Sequence, residues 1–280
     1  MGSHVLVGYD GTKESEHALR WAAREARLRR LPLTVCHVWR WPYPDSYVDA
    51  DTVTIVKRMA DHILDQGVAL AHDAVPAVRI VKRLLDGPPY AALMHEAQTA
   101  EVIVVGSHQP GGVPLGSTSI RLAATAHCPV LVVRDRAETF SEVVVGVDGS
   151  AASDAALAFA YEEATLRGWS VRAVYGSWEP SAAPNGDLAL YGDSEELRRV
   201  CGARLERAVA PWQTKFPDVT TRTALDLRPP RETLLEEAGS AGLVVVGNRG
   251  VGGLEPLRLG ATSSAVLQHA PGTVAVVPPA

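Results

Sequence analysis

Gly-x-Asp-Gly occurs twice in this sequence, at Gly8–Gly11 and Gly146–Gly149, each time at the end of a short apolar run that reads as a strand. Glycines permit a tight strand-to-helix turn and let a ligand approach the backbone. Asp10 and Asp148 can accept hydrogen bonds from an adenine or a ribose. The same Asp can instead order the turn, because Asp-Gly is common turn chemistry, and both roles stay open. A second constellation follows a later apolar run. It reads Gly247-Asn248-Arg249-Gly250, nine further residues, then Gly260-Ala261-Thr262-Ser263 at a helix start. A loop feeding a helix N-terminus presents several N–H groups and the positive end of the helix dipole, which suits a polyphosphate. Thr262 and Ser263 add hydroxyl donors, and Arg249 adds charge.

These residues recur because the sequence repeats itself. Val5-Leu6-Val7-Gly8-Tyr9-Asp10-Gly11-Thr12 returns as Val143-Val144-Val145-Gly146-Val147-Asp148-Gly149-Ser150, an offset of 138, and 13 of the 25 positions from Val5 to Arg29 are identical in the two copies. Val102–Gly106 returns as Val-rich Leu243–Gly247 at an offset of 141, and Gly116-Ser117-Thr118-Ser119 returns as Gly260-Ala261-Thr262-Ser263 at 144. The second copy therefore carries three more residues between the two glycine clusters. The seam is the short polar stretch 134–141, which implies domains packed together rather than strung on a flexible linker. The domain boundaries expected are 1–137 and 141–280.

In the first copy strands are expected at Val5–Tyr9, Leu33–Trp39, Val78–Leu84, Val102–Gly106 and Val130–Val133. They are short continuous apolar runs, as required when helices cover both faces of a sheet. The helix after the first strand carries Ala18, Leu19, Ala22 and Ala26 on one face and Arg20, Arg24 and Arg27 elsewhere. Thr12 or Ser15 can cap it, as Ser150 or Ser153 can in the second copy. Five strands alternating with four helices make an open, doubly wound parallel sheet in each copy. Ligands of such sheets bind at the carboxyl ends of the strands, where both constellations fall.

Composition excludes other classes. The net charge is −5 and no long Lys/Arg run occurs, against the concentrated basic face of a nucleic-acid groove. Cys36, Cys128 and Cys201 are far apart and form no CxxC pair, and the histidines, among them His37, His95 and His127, show no metal-ligand spacing. No apolar stretch approaches the roughly 18 residues of a membrane span, and no basic segment with an apolar core precedes Val5, so a soluble, cytoplasmic protein is expected. A Walker-type GxxxxGK[ST] loop is missing. Two aromatic loops leave the binding edge, one with Trp39, Trp41, Tyr43 and Tyr47 and one with Trp178 and Tyr191. They can lid an adenine or pack on themselves. Glu195, Glu196, Arg198 and Arg199 read as a solvated helix face.

Val-Gly-x-Asp-Gly-Ser opening a domain, with Gly-x-x-Gly, nine residues and Gly-Ser/Ala near its end, resembles the signature of the universal stress protein family, in its tandem two-copy form. The resemblance implies a Rossmann-like, adenine nucleotide α-hydrolase-like fold, ATP with or without Mg²⁺ as ligand, and a stress-linked regulatory role. It implies pairing of the two copies through their last strands, or a homodimer. By position, the second site would comprise Asp148, the backbone at Tyr175 and Gly176, Gly247, Gly250, Gly260, Ala261 and Ser263. The first would comprise Asp10, Val38, Gly106, Gly116, Ser117 and Ser119. The copies depart unequally from the pattern. The first has Gln109 where the second glycine belongs, six residues before Gly116, and Pro110 and Pro114 remove two N–H donors. The second keeps all three glycines, with Ala261 in place of the usual Ser. Two rivals remain: an interaction module that binds no nucleotide, and a slow ATP hydrolase, for which His108 is the one base on offer near the phosphates.

Overall fold

The structure is a computed structural model that describes residues 2–41, 49–107, 116–136, 140–177, 194–250 and 258–279. These fall into two compact units whose main division lies between Asp135 and Arg136. The first unit runs β1 (His4–Gly8), α1 (Lys13–Arg29), β2 (Leu33–Trp39), α2 (Ala50–Ala74), β3 (Ile80–Asp86), α3 (Pro89–Glu96), β4 (Ala100–Gly106), α4 (Ser117–Thr125) and β5 (Val130–Val133). Its strands are all parallel, in the order β3-β2-β1-β4-β5. The second unit runs β6 (Glu142–Gly146), α5 (Ala151–Arg167), β7 (Ser170–Gly176), α6 (Ser194–Lys215), β8 (Thr221–Asp226), α7 (Pro230–Glu237), β9 (Leu243–Gly247), α8 (Ala261–His269) and β10 (Val274–Val277). It repeats the topology, with the order β8-β7-β6-β9-β10.

Consecutive residues of an extended chain point to opposite faces of a sheet. A Cβ on Gly8 would meet Leu93 of α3 at 3.3 Å, whereas the ring of the next residue, Tyr9, packs on Gly67 of α2. Helices α2 and α3 therefore cover opposite faces, and Val5, Leu6 and Val7 are fully buried from both sides. That two-sided burial is why the strands read as unbroken apolar runs. Strand β3 is the exception: it begins at Ile80 rather than Val78 and ends at Asp86 rather than Leu84. It is an edge strand, half-exposed along its length, and its limits follow its pairing with β2 from Leu33↔Ile80 to Trp39↔Asp86. Apolar content does not mark such a strand, because Val78 is spent on the turn after α2, donating to Val75 O at 3.2 Å.

The switch in strand order lies between β1 and β4, and between β6 and β9. Connections leave the two strands in opposite directions and open a crevice at their carboxyl ends. Helices α1 and α5 are set over this point by caps that the residues dictate. Thr12 Oγ1 accepts from Ser15 N at 3.3 Å, and Ser150 Oγ accepts from Ser153 N at 3.1 Å. At the far ends both chains turn through left-handed residues, Arg30 (φ 58°) and Gly168 (φ 69°). No helix among the described residues is long and apolar enough to cross a membrane.

One identity in the repeat is explained by burial. Glu25 and Glu163 are fully buried on α1 and α5, paired one turn on with Arg29 (2.6 Å) and Arg167 (3.0 Å). Removing one partner of a buried ion pair strands the other charge, at a cost of about 3–5 kcal/mol. Arg167→Ala should therefore destabilise the protein by about 3 kcal/mol in urea denaturation followed by circular dichroism. An effect below about 1 kcal/mol, the value of an exposed pair, would show that Glu163 is not committed to Arg167.

Candidate functional site

In the second unit the crevice is framed by the ends of β6 and β9 and by the start of α8. After Gly146, Val147 N donates to Val174 O at 2.8 Å, and the chain turns at Asp148 and Gly149. Asp148 Oδ1 accepts from Ser150 N at 2.9 Å, and Asp148 N donates to Ser153 Oγ at 3.2 Å. Gly149 stands at φ 82°, a left-handed conformation that glycine takes without strain. The first unit builds the same turn: Asp10 Oδ1 accepts from Thr12 N at 3.1 Å and Thr12 Oγ1 at 2.6 Å, with Gly11 at φ 82°. The aspartates thus order the turn. Yet both are exposed and ordering engages Oδ1, so Oδ2 of Asp148 is directed elsewhere: a Cβ on Gly250 would lie 2.3 Å from it. A side chain at position 250 would displace that exposed carboxylate.

The strand-end glycines answer a different demand. A Cβ on Gly247 would fall 2.8 Å from the carbonyl carbon of Ala152 in α5, and one on Gly106 would fall 2.7 Å from Glu14 C and O in α1. Both let the first turn of a helix cross the strand end. Gly176 likewise yields to α7, since its Cβ would lie 2.5 Å from Pro230 Cα. The loop ends are then drawn together. Asn248 N donates to Val277 O (2.8 Å), Gly260 N donates to Asn248 O (2.9 Å), and Ser150 Oγ reaches Arg249 O at 3.5 Å. Ser263 Oγ donates to Gly247 O at 2.6 Å, and Ser119 Oγ to Gly106 O at 3.2 Å. The Ser263 hydroxyl proton is therefore committed to the strand rather than to a ligand. Among the described residues, no side chain caps α8 at Gly260 or α4 at Gly116.

What this edge presents in the second unit is an uncapped helix N-terminus with Gly260 and the exposed Ala261 at its mouth, Thr262 behind them, and a carboxylate opposite. First-turn N–H groups without side-chain partners attract anionic oxygens. Both halves of the chain, residues 1–134 and 139–278, match the sequence profile of the universal stress protein family. The chain belongs to that family.

A universal stress protein of Mycolicibacterium smegmatis is 35% identical, with 98% of this chain and 97% of that protein covered. The crystal structure of a universal stress protein from Archaeoglobus fulgidus has the same fold, at a TM-score of 0.73 and 19% identity over 99% of this chain and 98% of that one. A universal stress protein solved in complex with cAMP matches about half of this chain, 48% of it and 98% of that one, at 25% identity and a TM-score of 0.39.

Within the universal stress protein fold, Asp148, Gly247, Arg249, Gly250, Gly260, Ala261, Thr262 and Ser263 come together at one sheet edge. Tyr175 stands one strand over, at the end of β7. Burial pushes its phenol up first, with Cys201 and Asp148 adding to the rise, while a hydrogen bond from Arg204 of α6 and that cation's field oppose it. In the first unit Asp10, Val38, Gly106, Gly116, Ser117 and Ser119 occupy the equivalent strand ends and helix start. His108, Gln109, Pro110 and Pro114 lie outside the described residues, as do Tyr43, Tyr47, Trp178 and Tyr191 of the two aromatic loops.

Two residues escaped the sequence reading. Asn248 is buried inside the glycine loop, and its side-chain Oδ1 has no hydrogen-bond partner among the described residues. Its place in Gly-Asn-Arg-Gly was visible, but an acceptor left over after the backbone is satisfied appears only in three dimensions. Arg204 of α6 hydrogen-bonds the Tyr175 phenol, and no motif in the sequence marks it. The thiols are buried in all three cases, and burial pushes Cys128 up to about 12 and Cys36 higher still.

The turn geometry is open to direct test. Forcing a residue with a Cβ into the left-handed region costs roughly 1–2 kcal/mol. No atom of the described residues lies within 4 Å of a Cβ built on Gly149, so Gly149→Ala separates backbone strain from clash. Its denaturation midpoint should fall by an amount equivalent to about 1 kcal/mol. An unchanged midpoint would mean that the turn adopts another conformation.

Proposed function

We propose that this protein is an ATP-binding regulatory member of its family, in which nucleotide held at the carboxyl edge of the second unit stabilises one conformation or assembly state. The observation that carries the reading is the mouth of α8. Its N-terminus has no side-chain cap among the described residues, its first residues are Gly260 and Ala261, and Gly250 N lies only 3.5 Å from where a Cβ of Gly260 would stand. Backbone donors from both ends of the glycine loop are thereby gathered in one place, as phosphate binding demands. Oδ1 of buried Asn248, without a partner among the described residues, adds an acceptor, and the carboxylate of Asp148 suits a ribose hydroxyl or an adenine amino group. With Asp148 the carboxylate at that edge, Mg²⁺ would arrive on the triphosphate rather than in a protein cage.

The site residues dictate which variants are informative. Gly247→Ala would strike Ala152 of α5 and test folding rather than binding. Ala261 is exposed, and an aspartate there suits a helix N-terminus electrostatically while repelling a phosphate. Ala261→Asp should retain or raise thermal stability and weaken ATP binding at least tenfold in equilibrium dialysis with labelled nucleotide. Asp148→Asn keeps the Oδ1 acceptor of the turn and should weaken binding more mildly. Wild-type protein that binds no ATP at millimolar concentration would sink the reading. Loss of one equivalent with one retained in Ala261→Asp would show that the first unit binds as well.

A further inference from the structure

The first unit has an opening that the second has filled. Between α1 and α2 lies a groove of about 470 Å³ lined by Tyr9, Gly11, Glu16, Gln66, Ala69, Leu70 and Asp73. That volume is within the range of small-molecule sites. Tyr9 is 4% exposed, yet its hydroxyl has no hydrogen-bond partner among the described residues.

The repeat supplies an internal control. By the offset of 138, Tyr9 and Glu16 correspond to Val147 and Asp154. By the offset of 141 that aligns β3 with β8, Gly67, Ala71 and Val75 correspond to Ala208, Trp212 and Phe216. The burial of Ala60 and Leu64 against that of Cys201 and Leu205 supports this helix register. In the second unit Trp212 Nε1 donates to Asp154 Oδ1 at 2.9 Å, and its ring stacks with Tyr161 and Phe216. A flat apolar body with an N–H donor thus rests against the carboxylate at that position. The first unit has Ala23, Ala71 and Val75 where those three aromatics stand. Glu16 there has no indole, and is paired only loosely with Arg20, at 3.4 Å.

The charge at the groove is acidic. Glu16 and Asp73 line it, and the charges of Asp10 and Arg20 act on Tyr9 from nearby. The phenol of Tyr9 is held up by its burial and then by Glu16 and Asp10, with Arg20 opposing, so it presents a neutral oxygen. Leu70 and Ala69 provide an apolar wall. The geometry points to this groove as a binding site for a small organic amine carried on a compact apolar or aromatic body. The ammonium meets Glu16, Asp73 and the Tyr9 oxygen, and the body fills the space that Trp212 takes in the other copy. Gly11 of the first Gly-x-Asp-Gly turn borders it, while Gly106, Gly116, Ser117 and Ser119 do not line it.

Tryptamine is the direct probe, and indole-3-propionate is its control, with the same ring and the opposite charge. Isothermal titration of the full chain should show tryptamine binding below about 1 mM at one site, with the propionate at least tenfold weaker. Tyr9→Phe keeps the ring on Gly67 and removes only the hydroxyl; it should weaken tryptamine several-fold, as should Glu16→Gln. Ala69 is exposed, so Ala69→Trp should fold normally and block the groove, abolishing binding. Absence of tryptamine binding, equal binding of amine and acid, or unchanged binding in Ala69→Trp would each overturn the assignment.

Discussion

The approach of a helix to a strand end without room for a Cβ governs how each unit is built. Gly247 admits the backbone of Ala152, and Gly106 admits that of Glu14, at distances no side chain would permit. Contact this close sets the height of α5 and α1 on the sheet. It places the capping serine or threonine and the aspartate before it over the switch in strand order. Everything at the edge then follows by covalent connection: the left-handed glycine after the aspartate, the Ser263 or Ser119 hydroxyl tied back to the strand-end carbonyl, and the exposed start of α8 or α4.

This arrangement separates two jobs that glycine does within a few residues. Gly247 and Gly176 are required by packing between backbones, and Gly149 by its positive φ. Gly250 and Gly260 are different, because their neighbours belong to the loop and its facing carboxylate. Gly250 yields to Asp148 Oδ2, and Gly260 lies close to Arg249 Cα and Gly250 N. This second pair brings backbone donors of the loop together, while Gly247 and Gly176 admit the helices that pack on the sheet.

The two units also show how one fold diverges by complementary volume changes. Where the first has a tyrosine on a glycine, Tyr9 on Gly67, the second has Val147 and Ala208. Where the second has the stack of Tyr161, Trp212 and Phe216, the first has Ala23, Ala71 and Val75. Close-packed interiors tolerate such swaps when total volume is kept locally. In the first unit the replacement leaves a groove instead, open to solvent and acidic at its rim.

Sequence alone determined the repeat, the alternation of strands and helices, the parallel doubly wound class, two candidates for each helix cap and the two glycine clusters. Each is a local property: apolar runs, period, spacing, and identity at a constant offset leave their marks in one dimension. It did not determine where edge strand β3 begins, because a half-exposed strand takes its limits from its partner. Nor did it determine that Gly247 serves packing, that Ser263 spends its proton on Gly247 O, or that Asn248 keeps an acceptor in reserve. The indole of Trp212 stands against Asp154 while Glu16 faces a groove. Those outcomes depend on distances between residues far apart in the chain. Only tertiary packing decides which backbone, carboxylate or ring comes to stand within a few ångströms of another.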